Sequence, residues 1–424
     1  MNPVVQRVVA ALGANAFGQG INIVIQLASL PLFLHQWDMG TYGTWLMLSA
    51  MPAYLSMADV GMVSTAGNRM TMAMGQDQVA QANAVFQSAL VFMLVACGGF
   101  ALLTLPAVLL APIPGLHTID ERLALAALVC GVLLALFGGL AEAIFKATGR
   151  YATGTTLGTL IRLIEWAGWI IGLLVWGSFT AVALGGLCAR LLGVVLMALL
   201  SRQDSCGLQW GVQHAHWAEI RSMVKPALSF MLFPLANAIS FQGTTLLVGH
   251  QFGPALVTVF NSYRTIARVA VQVTATFGHA LWAEFSRLFG LGGAKAVAPL
   301  YRRSAWLGLW ISVGLSGVLY LTGPMLLRVW THGAIGFDAV LMSLLLAYAA
   351  VCGSWHVPRV LLMATNQHIG LAQWSLLAAS LAFALSYLLG TVAGISGIGL
   401  GMLIAESAIA LLCGVLAHRL VRTS

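Results

Sequence analysis

The sequence has few charged residues. Acidic and basic residues together make up 8% of its 424 residues, with 20 Lys and Arg against 12 Asp and Glu, whereas hydrophobic residues make up 60%. A soluble chain carries about 25% charged residues. So few charges cannot cover a water-exposed surface of this size, which excludes a soluble globular protein. The composition predicts an integral membrane protein with most of its chain in lipid.

Signatures of several other protein classes are missing as well. The six cysteines form no CxxC pair, so their spacing indicates neither a zinc site nor a disulfide framework. There is no glycine-rich phosphate loop ending in Lys-Ser/Thr, no H-E-x-x-H and no G-x-S-x-G. The net charge of +8 comes with no soluble basic domain, which argues against nucleic-acid binding. We therefore expect a protein that is not an enzyme and holds no cofactor or metal.

Twelve apolar stretches of about 20 residues or more, bounded by charges or turn residues, predict membrane-spanning helices. They cover residues 8–34, 41–67, 84–111, 122–146, 153–177, 180–200, 225–250, 255–286, 297–323, 337–365, 369–392 and 396–418. The longest connection, 201–224, splits them into two groups of six. The predicted organisation is all-α, with an N-terminal six-helix lobe at 1–200, a cytoplasmic inter-lobe loop at 201–224 and a C-terminal six-helix lobe at 225–424.

Basic residues between the predicted spans indicate the orientation in the membrane. With the N-terminus in the cytoplasm, the opposite side collects Arg122 and Arg328. The cytoplasmic side collects thirteen: Arg7, Arg69, Lys146, Arg150, Arg202, Arg221, Lys225, Arg287, Lys295, Arg302, Arg303, Arg419 and Arg422. Because cytoplasmic loops are enriched in Lys and Arg, both termini are predicted to be cytoplasmic.

The eighth predicted span carries a polar face. A charge at the bilayer centre costs at least about 2.5–3.5 kcal/mol, so polar residues inside spans are functional candidates. Steps of three or four residues place the following on one side of a helix: Asn261, Arg264, Thr265, Arg268, Gln272, Thr276 and His279. Arg264 and Arg268 lie one turn apart and repel each other unless negative charge lies between them. They form either an anion-binding stripe along a central cavity or a pair neutralised by acidic residues of neighbouring helices.

Three further residues are candidates for substrate binding. Asn22 and Gln26 belong to an uncharged polar face of the first span, which suits either cavity lining or hydrogen bonding between helices. Arg359 lies near the end of the tenth span. Two roles fit this residue. Its side chain either lines a vestibule or extends along the helix so that the guanidinium reaches the membrane surface.

Candidates for coupling or gating are Asp59, Arg162, Glu165 and Glu284. Arg162 and Glu165 are three residues apart and can pair within their helix. The other interpretation makes Glu165 a protonatable carboxylate, as coupling to a proton or sodium gradient requires. Asp59, in the second span, is the second candidate for that coupling, and Glu284 lies near the end of the eighth span.

Six motifs of this sequence resemble those of a known family. They are QLASLPLFL at 26–34, YGTW at 42–45, LSMADVG at 55–61, YRTIAR at 263–268, ALWAEFSR at 280–287 and ATNQH at 364–368. Together, and in this order, they resemble polysaccharide biosynthesis proteins of the O-antigen flippase (Wzx) type. The motifs extend from the first to the eleventh span, so the resemblance covers nearly the whole chain.

The resemblance implies the MATE-like fold of the multidrug/oligosaccharidyl-lipid/polysaccharide (MOP) exporter superfamily, with two six-helix lobes around a V-shaped cavity. It implies a flippase that moves a lipid-linked oligosaccharide, of the undecaprenyl diphosphate type, across the bacterial inner membrane by alternating access. Arg264 and Arg268 would hold the diphosphate. The partners it implies are the lipid-linked sugar diphosphate, membrane lipids and the polysaccharide polymerase machinery. The alternatives are a cation-coupled multidrug antiporter of the same fold and, further removed, a membrane glycosyltransferase or polymerase.

Overall fold

The computed structural model is almost entirely α-helical and describes residues 3–57, 59, 61–113, 116–203, 206–365 and 369–422. Its helices are α1 (Pro3–Gln36), α2 (Met39–Ala50), α3 (Met62–Gly75), α4 (Val79–Leu110), α5 (Ile119–Ala147), α6 (Tyr151–Val175), α7 (Phe179–Gln203), α8 (Trp217–Ala238), α9 (Thr244–Phe252), α10 (Pro254–Ala280), α11 (Trp282–Trp330), α12 (Ala339–Ser354), α13 (His356–Ala364) and α14 (Ile369–Arg422). A 3₁₀ turn (Pro52–Met57) follows α2, and a π turn (Ile239–Gly243) joins α8 to α9. The prediction of an all-α chain is confirmed.

Within the described residues, eight stretches are long and apolar enough to cross a membrane. They are Val9–Gln36, Val79–Leu110, Ile119–Ala147, Tyr151–Val175, Phe179–Gln203, Gly293–Trp330, Ala339–Ala364 and Gln373–Arg422. The last contains the eleventh and twelfth predicted spans. A kink at Ala393 and Gly394 separates them, because Gly394 adopts a positive φ of 64° that ends regular helix. The chain is a multi-pass membrane protein.

The other three predicted spans, the second, seventh and eighth, are irregular or polar. The second is divided into α2, the 3₁₀ turn and α3, and Gly61 adopts a positive φ of 77° just before α3 begins. The π turn interrupts the seventh between α8 and α9. The eighth is α10, which ends at Ala280 rather than at residue 286 and carries the polar face that lowers its hydropathy.

The described helices form two compact units. Unit 1 comprises Met1–Trp37 and Leu48–Pro234, and unit 2 comprises Asp38–Met47 and Leu235–Ser424. Unit 2 therefore begins after Pro234, whereas the sequence suggested a C-terminal lobe from residue 225. It also contains a short segment of the second predicted span.

A glycine explains why the segment Asp38–Met47 belongs to unit 2. A Cβ atom on Gly43 would lie 1.7 Å from the carbonyl oxygen of Pro254, so a larger residue could not approach the start of α10 this closely. The Thr258 hydroxyl donates to the Met39 carbonyl oxygen at 2.7 Å in the same contact. Asp38 begins the segment by accepting a hydrogen bond from the Thr41 N–H, which lowers the pKa of its carboxyl.

Helix α5 lies at the centre of unit 1, in contact with α3, α4, α6 and α7. The buried side chains of Met70, Phe86, Leu140 and Ile144 form the main core there. Two glycines bring α6 and α7 together. A Cβ on Gly168 would lie 2.3 Å from the Gly185 carbonyl oxygen. Small residues at such contacts let membrane helices approach closely, which strengthens their van der Waals packing.

The segment between α7 and α8 is attached to unit 1 along much of its length. Three buried side chains of α4, Asn83, Gln87 and Ser88, each donate and accept hydrogen bonds with backbone groups of residues 207–216, at 2.6–3.3 Å. Trp210 also packs edge-on against Phe86, with ring centroids 5.1 Å apart. Residues 207–216 of the predicted inter-lobe loop are therefore packed against α4 in unit 1.

Helices α10 and α12 form the core of unit 2. Phe260 and Tyr263 are fully buried on one side of α10, where the cluster includes Leu341 and Leu345 of α12. The Tyr263 hydroxyl donates to the Gly336 carbonyl oxygen at 2.6 Å, which ties α10 to the start of α12. This packing sets the rotation of α10 about its axis and therefore the direction of its polar face.

Replacing Gly168 with Ala should destabilise unit 1. The new methyl group meets backbone rather than a movable side chain, so α6 and α7 must separate, at a cost of about 1–3 kcal/mol. Thermal unfolding of the purified protein in detergent should show a lower midpoint. Gly98→Ala is the matched control, because a Cβ on Gly98 has no heavy atom within 4 Å. An equal midpoint for both variants would contradict the glycine contact.

Candidate functional site

Arg264 is solvated by protein oxygen atoms inside unit 2. The residue is 7% exposed. Its guanidinium donates to the Phe241 carbonyl oxygen at 2.9 Å, to the Thr245 hydroxyl at 2.7 Å and to the Asn261 side-chain oxygen. All three acceptors are uncharged. The Arg264 guanidinium therefore forms its hydrogen bonds with neutral groups, and no carboxylate among these partners neutralises its positive charge.

Aromatic rings complete the surroundings of the two arginines. The Arg264 guanidinium carbon lies 5.4 Å from the Phe241 ring centroid and 5.5 Å from that of Phe260. Arg268 lies 4.8 Å from the same Phe241 ring. Cation–π contacts of this kind stabilise a positive charge by about 0.5–2 kcal/mol each. Phe241 thus contacts both arginines.

The π turn places Phe241 where its ring contacts both arginines. Phe241 lies within the turn, and its carbonyl oxygen accepts hydrogen bonds from Arg264 and from the Thr245 hydroxyl. A π turn adds a residue to a helical turn and shifts the direction of the side chains that follow, and such turns are frequent at functional sites. Hydropathy and periodicity carry no signal for this turn, so the sequence did not predict Phe241 or Thr245 as part of the site.

Arg268 has fewer protein partners than Arg264. It is half-buried, and the contact that holds its guanidinium is the Phe241 ring. Throughout the described part of the chain, neither Arg268 nor Arg264 forms an ion pair with a carboxylate. Of the two sequence interpretations, the pair neutralised by acidic neighbours is not found among these residues. The arrangement is a cationic centre with one guanidinium enclosed and one accessible.

The polar face of α10 continues beyond the arginines. Gln272, one turn further, is half-buried, whereas Thr276 and His279 are exposed. The Thr276 hydroxyl donates to the Gln272 carbonyl oxygen at 2.9 Å, and the His279 ring stacks on Trp282 with centroids 6.2 Å apart. Burial of the predicted stripe therefore decreases along the helix, from the buried Arg264 through the half-buried Arg268 and Gln272 to the exposed His279.

The first-helix candidates lie in unit 1, where α1 and α6 are joined by hydrogen bonds. The Arg162 guanidinium donates to the Asn22 side-chain oxygen at 2.7 Å, and the Trp166 indole donates to the Ser29 hydroxyl at 2.9 Å. Gln26 is half-buried on α1 between these positions. Asn22 and Ser29 are seven residues apart, two turns of helix, so the polar face of α1 serves at least partly to hold α6.

Glu165 pairs with a more distant arginine than expected. Its carboxylate forms an ion pair with Arg190 of α7, and the two side chains are 9% and 20% exposed. The pairing within α6 between Arg162 and Glu165 is not formed. The sequence could not select the partner, since Arg190 is 25 residues away and is brought close by the α6–α7 contact.

A cavity of about 160 Å³ lies beside this ion pair, among α5, α6 and α7. Its charged lining residues are Glu142, Arg162 and Arg190. Glu142 accepts a hydrogen bond from the Thr155 hydroxyl at 3.1 Å. With Glu165, two positive and two negative groups lie around this cavity, and of these Glu165 and Arg190 form an ion pair.

The remaining candidates lie in separate places. The Asp59 carboxylate accepts hydrogen bonds from the backbone N–H groups of Gly61 and Val63, at 3.0 and 3.3 Å, and so caps the start of α3. Glu284 is half-buried in the first turn of α11. Arg359 is half-buried on α13, with its guanidinium carbon 5.6 Å from the Trp355 ring centroid.

The candidates thus form two sets. Unit 1 holds Asn22, Gln26, Asp59, Arg162 and Glu165, and unit 2 holds Asn261, Arg264, Arg268, Gln272, Glu284 and Arg359. The motif at 364–368 falls largely on residues 366–368, which lie outside the described residues. In unit 2, the cationic centre on α10 is the part of the predicted set that the structure brings together around shared partners.

Comparisons with solved structures identify the fold. An inward-facing multidrug resistance MATE family transporter of the MOP superfamily matches with a TM-score of 0.70 at 14% identity, covering 95% of this chain and 98% of that one. An outward-facing transporter of the same description matches with a TM-score of 0.70 at 13% identity, covering 98% and 96%. No family model and no curated protein matches the chain. The likeness confirms the predicted all-α MATE/MOP-like membrane fold.

A third structure shows that this fold is not tied to one kind of pocket. It is a MOP superfamily transporter from Pyrococcus furiosus, for which a reversed polarity of the binding pocket suggests a different function. It matches with a TM-score of 0.61 at 13% identity, covering 98% of this chain and 95% of that one. At identities of 13–14% these likenesses show the fold and not the substrate class.

Breaking the Glu165–Arg190 pair from one side should destabilise the protein more than removing both charges. Arg190→Gln leaves a carboxylate without its cation in a membrane span, at a cost of about 3–5 kcal/mol. Glu165→Gln leaves the opposite charge. The double variant restores neutrality and should recover part of the loss. A double-mutant cycle of thermal unfolding measures the coupling, and additive losses would contradict an ion pair that stabilises the fold.

The two arginines of α10 should differ in their effect on stability. Arg264→Ala removes three hydrogen bonds and leaves the Asn261 side-chain oxygen without its donor, which costs about 1–3 kcal/mol for that unsatisfied group alone. Arg264→Lys should recover little, because an ammonium cannot reproduce the planar fork. Arg268→Ala loses one contact with a ring and should unfold close to the wild-type midpoint. Equal destabilisation by the two alanine variants would show that the arginines are equally embedded.

Proposed function

We propose that this protein is a flippase that moves a lipid-linked sugar diphosphate across the bacterial inner membrane by alternating access. The lipid carrier is of the undecaprenyl diphosphate type, and the sugars are destined for a surface polysaccharide such as O-antigen. The proposal combines the resemblance of the sequence motifs with the MATE/MOP-like fold and the charge of the α10 site. The proposal keeps both termini in the cytoplasm, as the basic residues between the spans predict. It has the substrate loaded from the cytoplasmic leaflet, as the family resemblance implies.

The observation that carries the proposal is the accessible guanidinium of Arg268 beside the enclosed one of Arg264. Two positive charges within one helical turn repel each other, and neutral acceptors do not cancel that repulsion. An anionic ligand does cancel it. A cationic drug would instead add a third positive charge to the pair. The sign of the site therefore favours an anionic substrate.

A diphosphate suits this arrangement better than a simple carboxylate. Guanidinium groups donate two parallel hydrogen bonds to phosphate oxygens, and two phosphates present such oxygens over the distance of one helical turn. Gln272 and Asn261 extend the same face with amide groups that can bond to phosphate or sugar oxygens. The unit 2 candidate Arg359 supplies a further positive charge, while the lipid tail stays in the bilayer among membrane lipids.

The second candidate is a cation-coupled multidrug antiporter. The fold favours it, since solved multidrug resistance transporters share this architecture. Such an antiporter needs carboxylates that can meet a cation. The two carboxylates first considered for that task are engaged otherwise, because Glu165 pairs with Arg190 and Asp59 caps α3. A membrane glycosyltransferase or polymerase is the more distant alternative, and elongation of a sugar product by the purified protein would support it.

The proposal places the protein upstream of polysaccharide polymerase machinery and requires no cofactor and no nucleic acid. A proton or sodium gradient is the energy source it invokes. The sequence candidates for this coupling are Glu165, Asp59 and Glu284, with Arg162 as a gating partner. Coupling through Glu165 or Asp59 requires the ion pair with Arg190 or the cap of α3 to open. Transport in vesicles that does not respond to an imposed pH or sodium gradient would remove the coupling from the proposal.

Restoration of surface polysaccharide in a flippase-null bacterium should depend on Arg268. Wild type should restore the polymer, and Arg268→Ala should lose it at equal membrane abundance, because the diphosphate loses a charge-assisted hydrogen bond worth about 1.5–3 kcal/mol. Arg328→Ala is the matched control, since Arg328 is an exposed arginine at the end of α11. Arg264→Ala should also lose function.

Binding of inorganic pyrophosphate to the purified protein separates the outcomes. Pyrophosphate should raise the unfolding midpoint of wild type and of Arg328→Ala, but not of Arg268→Ala. Full restoration of polymer by both Arg264→Ala and Arg268→Ala would place the diphosphate elsewhere. Failure of wild type to restore polymer, together with no pyrophosphate binding, would favour the antiporter.

A further inference from the structure

The first half of α11 has a buried face and an exposed face. Buried side chains recur there at steps of three and four residues, at Ala294, Val297, Tyr301 and Ser304. The exposed face carries three basic residues and two tryptophans: Lys295, Arg302, Arg303, Trp306 and Trp310. At about 100° per residue, these five lie within about a third of the helix circumference, centred opposite the buried side chains. We call them the basic-indole face.

The side chains of the basic-indole face have no partner within the residues that the structure describes. None of the five forms a hydrogen bond, an ion pair or a cation–π contact there. Trp306 is 62% exposed and Trp310 is 65% exposed. The single acidic residue of α11, Glu284, precedes Lys295 by 11 residues, which is about 16 Å along the helix. Three positive charges and two indole N–H groups therefore point away from the protein.

The end of α14 adds positive charge beside this part of α11. Tyr301 of α11 belongs to the same buried cluster as Cys413 and Val421 of α14, so the last turns of α14 pack against α11. Arg422 lies in the last turn of α14 and is exposed. Two helices of unit 2 thus bring basic side chains to the same end of the unit.

The length of α11 places the basic-indole face at a membrane surface. The exposed Arg328 lies near the other end of the helix. A hydrocarbon core of about 30 Å takes about 20 helical residues, and counting back from Arg328 reaches the turn between Trp306 and Trp310. The two indoles therefore lie at the edge of the hydrocarbon, where tryptophan is enriched, and Arg302 lies about 6 Å beyond Trp306 at the depth of the headgroups. In the orientation that the basic residues predict, this is the cytoplasmic surface.

Beyond the indoles the same face of α11 becomes apolar. Val313 and Leu321 continue it towards the bilayer centre and are 44% and 80% exposed. Polar groups are expected along a water-filled path, whereas lipid chains cover apolar side chains. The face thus changes from positive charge through indole N–H groups to apolar side chains. A phospholipid presents phosphate, ester carbonyl groups and acyl chains in the same order, whereas an acidic soluble protein or a free phosphate matches the first part alone.

We propose that the basic-indole face of α11 is a binding site for an anionic phospholipid of the cytoplasmic leaflet. The guanidinium groups of Arg302 and Arg303 donate paired hydrogen bonds to the phosphate oxygens, and Lys295 adds a third positive charge. The indole N–H groups of Trp306 and Trp310 donate to the ester carbonyl groups. Basic residues beside membrane spans on the cytoplasmic side suit such headgroups. The site is separate from the arginine pair of α10 and does not rest on the proposed function.

Titration of the purified, delipidated protein with phosphatidylglycerol in detergent tests the site. Because bound lipid stabilises the folded state, phosphatidylglycerol should raise the unfolding midpoint of wild type. Phosphatidylcholine with the same acyl chains has no net charge and should need a higher concentration for the same rise. Glycerophosphoglycerol, which is the headgroup without acyl chains, should have little effect. No rise with phosphatidylglycerol, or an equal response to either of the other two compounds, overturns the site.

The double variant Arg302→Gln/Arg303→Gln locates the phosphate. It should need about 30-fold more phosphatidylglycerol for half of the midpoint rise, which is the combined effect of two basic residues at an anionic membrane surface. Both positions are exposed, so the fold without lipid is retained. Arg221→Gln/Arg328→Gln is the matched control, since it removes two exposed arginines from other places and the same net charge. Equal weakening by the two double variants would show attraction to net charge alone and overturn the site.

The double variant Trp306→Phe/Trp310→Phe tests the indoles. It keeps both aromatic rings and removes both N–H donors, so phosphatidylglycerol should bind at least about fivefold more weakly, the combined effect of two hydrogen bonds of modest strength. Trp176→Phe/Trp217→Phe is the matched control, because these residues are 71% and 76% exposed elsewhere on the chain, and it should bind like wild type. Unchanged binding by Trp306→Phe/Trp310→Phe would leave a basic surface without a lipid site and overturn the proposal.

Discussion

A guanidinium inside a membrane span has to be solvated by the protein, and much of unit 2 is arranged around this requirement. Arg264 is surrounded by a carbonyl oxygen, a hydroxyl and an amide oxygen, with aromatic rings on its remaining sides. The carbonyl belongs to Phe241 in a π turn, so the irregular chain between α8 and α9 also helps to solvate Arg264. Tyr263, the next residue towards the N-terminus, is buried in the core and holds α10 in the rotation that the site needs.

The two units handle buried charge in different ways. In unit 1 the buried carboxylate of Glu165 is neutralised by Arg190, whereas the exposed Arg162 donates to the neutral amide of Asn22. Unit 2 keeps its positive charge and surrounds it with dipoles and rings. The first arrangement holds helices together, and its charged groups already bind to protein partners rather than to a ligand. The arrangement in unit 2 attracts an anion, because a bound negative charge relieves the repulsion between the neighbouring arginines.

The fold is shared with transporters of multidrug resistance, and the polarity of its pockets is not the same in every member. A common fold therefore does not decide the substrate class. In this chain the positive charge on α10, which forms no ion pair with a carboxylate among the described residues, supports the proposal of an anionic substrate.

Local sequence was sufficient for the approximate limits of most apolar helices, because hydropathy is a property of adjacent residues. The gap expected between 392 and 396 contains the kink at Ala393 and Gly394, and the periodicity of α10 grouped Arg264 with Arg268, which contact the same Phe241 ring. Local sequence did not identify contact partners that are distant along the chain. The choice of Arg190 over Arg162 for Glu165, and the enclosure of Arg264 by Phe241, depend on how helices are rotated and how closely they approach. Packing of glycines and buried aromatic side chains sets that rotation and approach, and neither is encoded in the pattern of a single helix.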